Sequence, residues 1–161
     1  MVLPRPAQAV EVNGGVGIGG VLAGILPRLA LSPHVGLAWS TDGGFLFELH
    51  DVLAILPVGS ALGVGVYNQT SAAVGYAWKD GALSAGPSLA IYRMPACGHK
   101  LCGRVVGLGP GGHAEGSYYF WGPLGLWIHA NFAWMGGKSS VLPSGVAGMV
   151  VVGPVLRWRS G

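Results

Sequence analysis

The stretch ALGVGVYNQTSAAVGYAWK, residues 61–79, alternates from end to end without a slip of phase. Even positions carry Leu62, Val64, Val66, Asn68, Thr70, Ala72, Val74, Tyr76 and Trp78; odd positions carry Gly63, Gly65, Tyr67, Gln69, Ser71, Ala73, Gly75 and Ala77. One face is large and mostly apolar, the other small or polar. Successive Cβ atoms of a strand point to opposite faces, whereas a helix would scatter both sets around its circumference, so the stretch is a strand. Strands of soluble proteins usually run to about five or six residues, and this one is far longer. Glycines along one side and an aromatic pair at one end fit a tilted strand that crosses a bilayer.

Working outward, the composition agrees. Only 9% of the 161 residues are charged, nine basic and six acidic, against roughly 25% in ordinary soluble domains. Too few charges are present to cover a wet surface. Thirty glycines and eleven prolines interrupt the apolar runs and exclude membrane helices. A closed barrel is then the way to satisfy every backbone N–H and C=O in lipid. The net charge of +3 is small and dispersed, so no nucleic acid is expected as partner. Met1 to Pro6 show no apolar export-signal core, and the expectation is a mature form behind a start methionine.

The rest of the chain supplies seven more strands. The first is expected over Ala9 to Leu22, where Val10, Val12, Val16 and Ile18 alternate with Glu11, Asn13 and glycines. Gly15 to Gly20 fits G-x-G-x-x-G, but the period of two runs through it and no helix-forming segment follows, so a nucleotide turn is rejected. Strand two is expected over Leu29 to Ser40, and Thr41 to Gly44 closes a hairpin on an Asp-Gly pair. Phe45, Phe47 and Leu49 then point outward with Glu48 inward. His50 to Leu56 loses its alternation and is expected to leave the sheet as a short helix or lid, ending at Pro57-Val58-Gly59. After the opening stretch as strand four, Lys79 to Gly81 turns into strand five, which gives way to a loop at Met94 to Gly103. Strand six covers Arg104 to Trp121, Gly122-Pro123 turns it into strand seven at Leu124 to Trp134, and a polar loop at Gly136 to Ser144 leads to strand eight, Gly145 to Arg159, whose phase is ambiguous.

The fold class expected is all-β: one domain over residues 1–161, an eight-stranded antiparallel up-and-down transmembrane β-barrel with strands within 8–159. The even strand number, tight turns at 41–44, 79–81 and 121–123, and longer connections after strands three, five and seven, with the link after strand one a short exception, suit insertion from one side. In this pattern the chain resembles the small eight-stranded outer-membrane barrels, a group that includes the OmpA transmembrane domain and the lipid A deacylases. The resemblance is architectural and rests on no family-specific motif. It implies a monomer in the outer membrane of a Gram-negative envelope, with the lipid bilayer as partner and exterior loops as the contact with other envelope proteins.

Most charges fall at strand ends or turns: Arg28, Asp42, Lys79, Asp80, Arg93, Lys100, Arg104 and Lys138. The exceptions share the face expected to line the lumen. His34, Glu48, His113, Glu115, His129 and Asn131 form a candidate polar network, a hydrogen-bonded plug, because carboxylates in a narrow lumen need histidine or arginine partners. Eight strands leave a lumen that side chains can fill, which disfavours a proton or ion path. His113, Glu115 and His129 are also the candidates for a catalytic base and its orienting carboxylate. Lipid A deacylases carry a His-x-Ser-Asn type motif, whereas His129-Ala130-Asn131 has no serine, so no nucleophile is placed. Cys97 and Cys102 enclose four residues in the expected exterior loop and read as a disulfide of an oxidising compartment. A zinc site of Cys97, His99 and Cys102 would want a fourth ligand. No cofactor and no metal are expected.

Three functions stay open. One is a non-enzymatic structural or anchoring barrel with a side-chain-filled lumen, another a lipid A or phospholipid hydrolase. The third is a soluble ligand-binding barrel of lipocalin or streptavidin type, which needs the apolar face turned inward.

Overall fold

A computed structural model describes residues 9–23, 27–57, 64–97, 102–136 and 145–159. Eight strands run in chain order: β1 Ala9–Ala23, β2 Pro27–Ser40, β3 Phe45–Pro57, β4 Val64–Trp78, β5 Gly81–Cys97, β6 Cys102–Trp121, β7 Leu124–Met135 and β8 Gly145–Arg159. Each pairs antiparallel with its sequence neighbours, and β1 pairs with β8 to close the barrel. Full closure pairs every strand on both edges, which is what lets a sheet stand in lipid.

Alternation places the large apolar residues outside. Val64, Val74, Leu89 and Phe132 are 60%, 54%, 48% and 63% exposed. A soluble barrel with its apolar face inward is therefore excluded. Most outward aromatic residues, Trp39, Phe45, Phe47, Tyr76, Trp78, Tyr118, Phe120 and Trp158, gather toward the tight-turn end, with Phe132 and Trp134 toward the other, as the girdles of a membrane barrel do. Trp39 and Phe47, opposed in the β2–β3 register, lie 5.6 Å apart between ring centroids.

The turns are closed by local chemistry. Thr41 N–H donates to the Phe45 carbonyl and Phe45 N–H to the Thr41 hydroxyl across the β2–β3 turn, and Gly44 adopts φ +82°, a left-handed conformation suited to glycine. Gly122 does the same at φ +56° in the β6–β7 turn, beside a β-bulge between Tyr119 and Trp121.

Two expected irregularities are strand instead. Residues 50–56, expected to leave the sheet, continue β3 to Pro57 in unbroken register with β4. Their alternation is blurred for a physical reason. Val52, Ala54 and Leu56 point into an apolar part of the lumen while Leu53 and Ile55 point to the outside, so both faces are apolar. Asp51 adds to the blur by standing on the outer face, fourth of the seven outward residues of β3, where it accepts hydrogen bonds from Asn68 Nδ2 at 2.6 Å and Thr70 Oγ1 at 3.1 Å.

The expected loop at Met94 to Gly103 is also largely sheet: β5 reaches Cys97, β6 starts at Cys102, and these two residues are Cα partners. Backbone pairing there does not need an alternating side-chain pattern. Arg93, expected at a strand end, consequently lies within β5 and is exposed. The side chains of Cys97 and Cys102, and His99 altogether, lie outside the described residues, as do Gly137 to Ser144 of the polar loop. In β8 the phase resolves with Val146, Val150, Val152 and Leu156 outward and Ala147, Met149, Val151 and Val155 inward.

The lumen is packed. Toward the loop end, Val21, Val52, Ala54, Leu56, Tyr67, Tyr92, Met135 and Met149 are buried in one apolar cluster. Toward the tight-turn end, Arg157 lies over the ring of Tyr119, 3.9 Å from its centroid. Glycines on the inner face make room for large side chains. A Cβ on Gly17 would stand 3.2 Å from Trp127 Cζ3 and collide with Val151.

Candidate functional site

Between these ends lies a polar layer to which every strand contributes through its inward parity: Asn13 of β1, His34 of β2, Glu48 and His50 of β3, Gln69 of β4, Ser84 of β5, His113 and Glu115 of β6, and Trp127, His129 and Asn131 of β7. Among the described residues β8 alone gives this layer no polar side chain; its residue opposite His129 is Val151. The β6–β7 register sets Glu115 opposite His129 and His113 opposite Asn131.

Glu115 is the centre. Its Oε2 lies 3.1 Å from His129 Nδ1 and is met as well by His50 Nδ1, which reaches it across the lumen from β3. The other nitrogen of His129, Nε2, donates to Gln69 Oε1 at 2.6 Å. Both nitrogens of His129 thus face oxygens, so a proton or another cation is needed between the ring and Glu115. A buried carboxylate needs such a partner.

The other expected members of the network are placed differently. His113 donates Nδ1–H to the Gly86 carbonyl at 3.1 Å and stacks on His129 at 5.5 Å between centroids. Asn131 exchanges hydrogen bonds with the hydroxyl of Tyr67 at 2.9 and 3.1 Å. Glu48 is held apart from Glu115 by Asn13 Nδ2 and Ser84 Oγ, each at 3.0 Å. His34 stacks on Trp127 with centroids 3.7 Å apart and meets His50 edge-on at 5.2 Å. Of the six expected residues, Glu115 and His129 bond to each other directly; His50, Gln69, Asn13, Ser84 and Tyr67 complete the contacts and were not singled out by sequence. His50 could have been found by extending the inward parity of Glu48 by one more step.

No family model and no curated protein matches the chain. Solved structures do match. Ail of Yersinia pestis, the attachment invasion locus protein, superposes with a TM-score of 0.64 at 9% identity, over 94% of this chain and 99% of that one. Neisserial surface protein A gives 0.57 at 12% identity over 93% and 96%. The N-terminal β-barrel domain of Pseudomonas aeruginosa OprF gives 0.54 at 12% identity over 96% and 100%. In fold, this chain is a small eight-stranded outer-membrane β-barrel. Identities this low establish the architecture and leave activity to the residues themselves.

In this outer-membrane-type barrel one catalytic candidate is fully engaged and the other only in part. With Nδ1 on Glu115 and Nε2 on Gln69, His129 keeps no nitrogen for a nucleophile, whereas His113 spends Nδ1 on a backbone carbonyl and leaves Nε2 without a partner among the described residues. What the layer can do is hold a proton or a cation between imidazole and carboxylate, and tie β3 and β4 to the β6–β7 pair across the lumen.

Proposed function

We propose that the protein is a monomeric, non-enzymatic integral barrel of a bacterial outer membrane, serving as a structural element or anchor of the envelope. Its lumen network acts as a lock, and exterior loops meet other envelope proteins. The engagement of both His129 nitrogens, one on Glu115 and one on Gln69, carries this reading. The apolar cluster toward the loop end supports it, since it stands between the polar layer and the exterior. Cys97 and Cys102, opposed in register at that end, are proposed to be bridged.

The test is Glu115→Gln, which removes the charge and keeps the shape. Unfolding in lipid vesicles and the mass profile of lipid A from a strain carrying the variant are measured together. Reduced stability with an unchanged lipid A profile is expected. A changed profile in a barrel of unchanged stability would establish the hydrolase instead.

A further inference from the structure

Glu48 and Glu115 are both buried, and among the described residues no lysine or arginine is buried with them. A carboxylate that stays ionised away from water needs a counter-charge. Here it must come from imidazole or from an ion. The His129 geometry sharpens this requirement. Nε2 faces an acceptor, so in a neutral ring the lone pair falls on Nδ1 and points at Glu115 Oε2. His50 Nδ1 converges on the same oxygen. Acceptors set against one another in this way are held by a cation between them, either protons on nitrogen or a metal ion.

We propose that this centre binds one divalent transition-metal ion of the zinc class through His50, Glu115 and His129. The three ligand atoms lie within 4.8 Å of one another, and a tetrahedral ion with bonds near 2.0–2.2 Å would set them about 3.3 Å apart. Side-chain rotations that part Glu115 slightly from the two imidazoles would make room for it. Two imidazoles and one carboxylate suit zinc, whereas calcium and magnesium prefer oxygen alone. The side chains of His50, Glu115 and His129 are 1%, 6% and 0% exposed, so the centre is shielded from competing water.

Two further observations point to an ion. Gln69 Oε1 fixes the tautomer of His129 in the way an outer partner fixes a metal-binding histidine. His34 is more than nine-tenths buried beside His50, and both its ring nitrogens lack a hydrogen-bond partner among the described residues. It is a candidate for a fourth ligand. A charge of +2 would also balance Glu48 and Glu115 together.

This inference rests on the reading of the layer as a structural lock, with the ion as a cross-link joining β3, β6 and β7. The full chain is refolded into detergent micelles with zinc, freed of excess ion, and its metal content and zinc affinity are measured. Cobalt is substituted in parallel and its visible spectrum recorded. One ion per chain is expected, with a cobalt spectrum of nitrogen and oxygen ligands and no sulfur charge-transfer band. The Cys97→Ser/Cys102→Ser variant should bind equally well. Gln69→Leu should weaken affinity about 10–100-fold, and Glu115→Gln or His50→Gln more than that. A parent barrel that retains no ion, a sulfur band, or affinity lost in the cysteine variant and kept in Glu115→Gln would overturn the site. If Glu115→Gln does not fold, the parent's cobalt spectrum and the Gln69→Leu affinity decide. A barrel without zinc affinity that Glu115→Gln still destabilises refutes the ion and leaves the lock standing.

Discussion

The indole of Trp127 stacks on the imidazole of His34, 3.7 Å between centroids and 21° from parallel, against the glycine-lined inner face of β1. Trp127 is 2% exposed and is among the largest fully buried side chains. Trp127→Ala should therefore destabilise the barrel by about 3–5 kcal/mol, the range for emptying a packed site of an aromatic ring. Urea unfolding in vesicles measures it. A loss under about 1 kcal/mol would show that the lumen collapses freely around the gap.

The outer belt should respond by depth. Leu89, opposed to Thr70 near mid-strand, is expected to lose about 2–4 kcal/mol on substitution by arginine, whereas Val74→Arg, next to the Tyr76 and Trp78 girdle, should cost much less. If both variants fold in bilayers as well as the parent and stay soluble without detergent, the belt does not contact lipid.

Glu115→Gln leaves His50 and His129 facing an amide in place of a carboxylate. Breaking a buried pair by removing one partner costs about 3–5 kcal/mol. A comparable loss is expected for His129→Leu, and the double variant should lose less than the sum, because both substitutions break the same contact. Strict additivity in the cycle would mean the two residues do not act as a unit.

The Asp51 cluster offers a test on the opposite face. Asn68→Leu with Thr70→Val removes both donors and leaves a carboxylate alone in the apolar belt, which should destabilise by about 1–3 kcal/mol. Adding Asp51→Leu should restore the loss. Failure of the third substitution to recover stability would show that the carboxylate was never the burden.

The proposed bridge between Cys97 and Cys102 predicts no titratable thiol in the exported, denatured, unreduced protein. It encloses only a few residues, so its removal should cost less than the roughly 3 kcal/mol expected of a 15-residue loop. Two free thiols would refute it.

Strand number and the sidedness of the outer belt were legible because they depend on side-chain parity, and lipid outside with a narrow lumen inside makes parity strict over most of the chain. Legibility failed where both faces demand the same chemistry. Around Val52 to Leu56 the lumen is itself apolar, so inward and outward residues look alike, and His50 was lost with them. At Cys97 and Cys102 the strands continue through backbone pairing that side-chain patterning does not report. Within the site, parity identified the inward residues of β6 and β7 but not which would bond. That His129 meets Gln69 of β4 and Glu115 meets His50 of β3 depends on distances across the lumen, which neighbouring-strand register cannot supply.

Gly17, pressed against Trp127 and Val151, sets terms for how this gene can change. Every missense mutation at a glycine adds a Cβ, so each one there forces a collision with the barrel's largest buried ring or its neighbour. Val150, Val152 and Leu156 on the adjoining strand face outward and can exchange with any other apolar residue. Neutral drift is thus steered to the outside of the molecule, as in a water-soluble enzyme but among apolar rather than polar side chains, and a descendant could replace most of its outer face while its silhouette stayed the same.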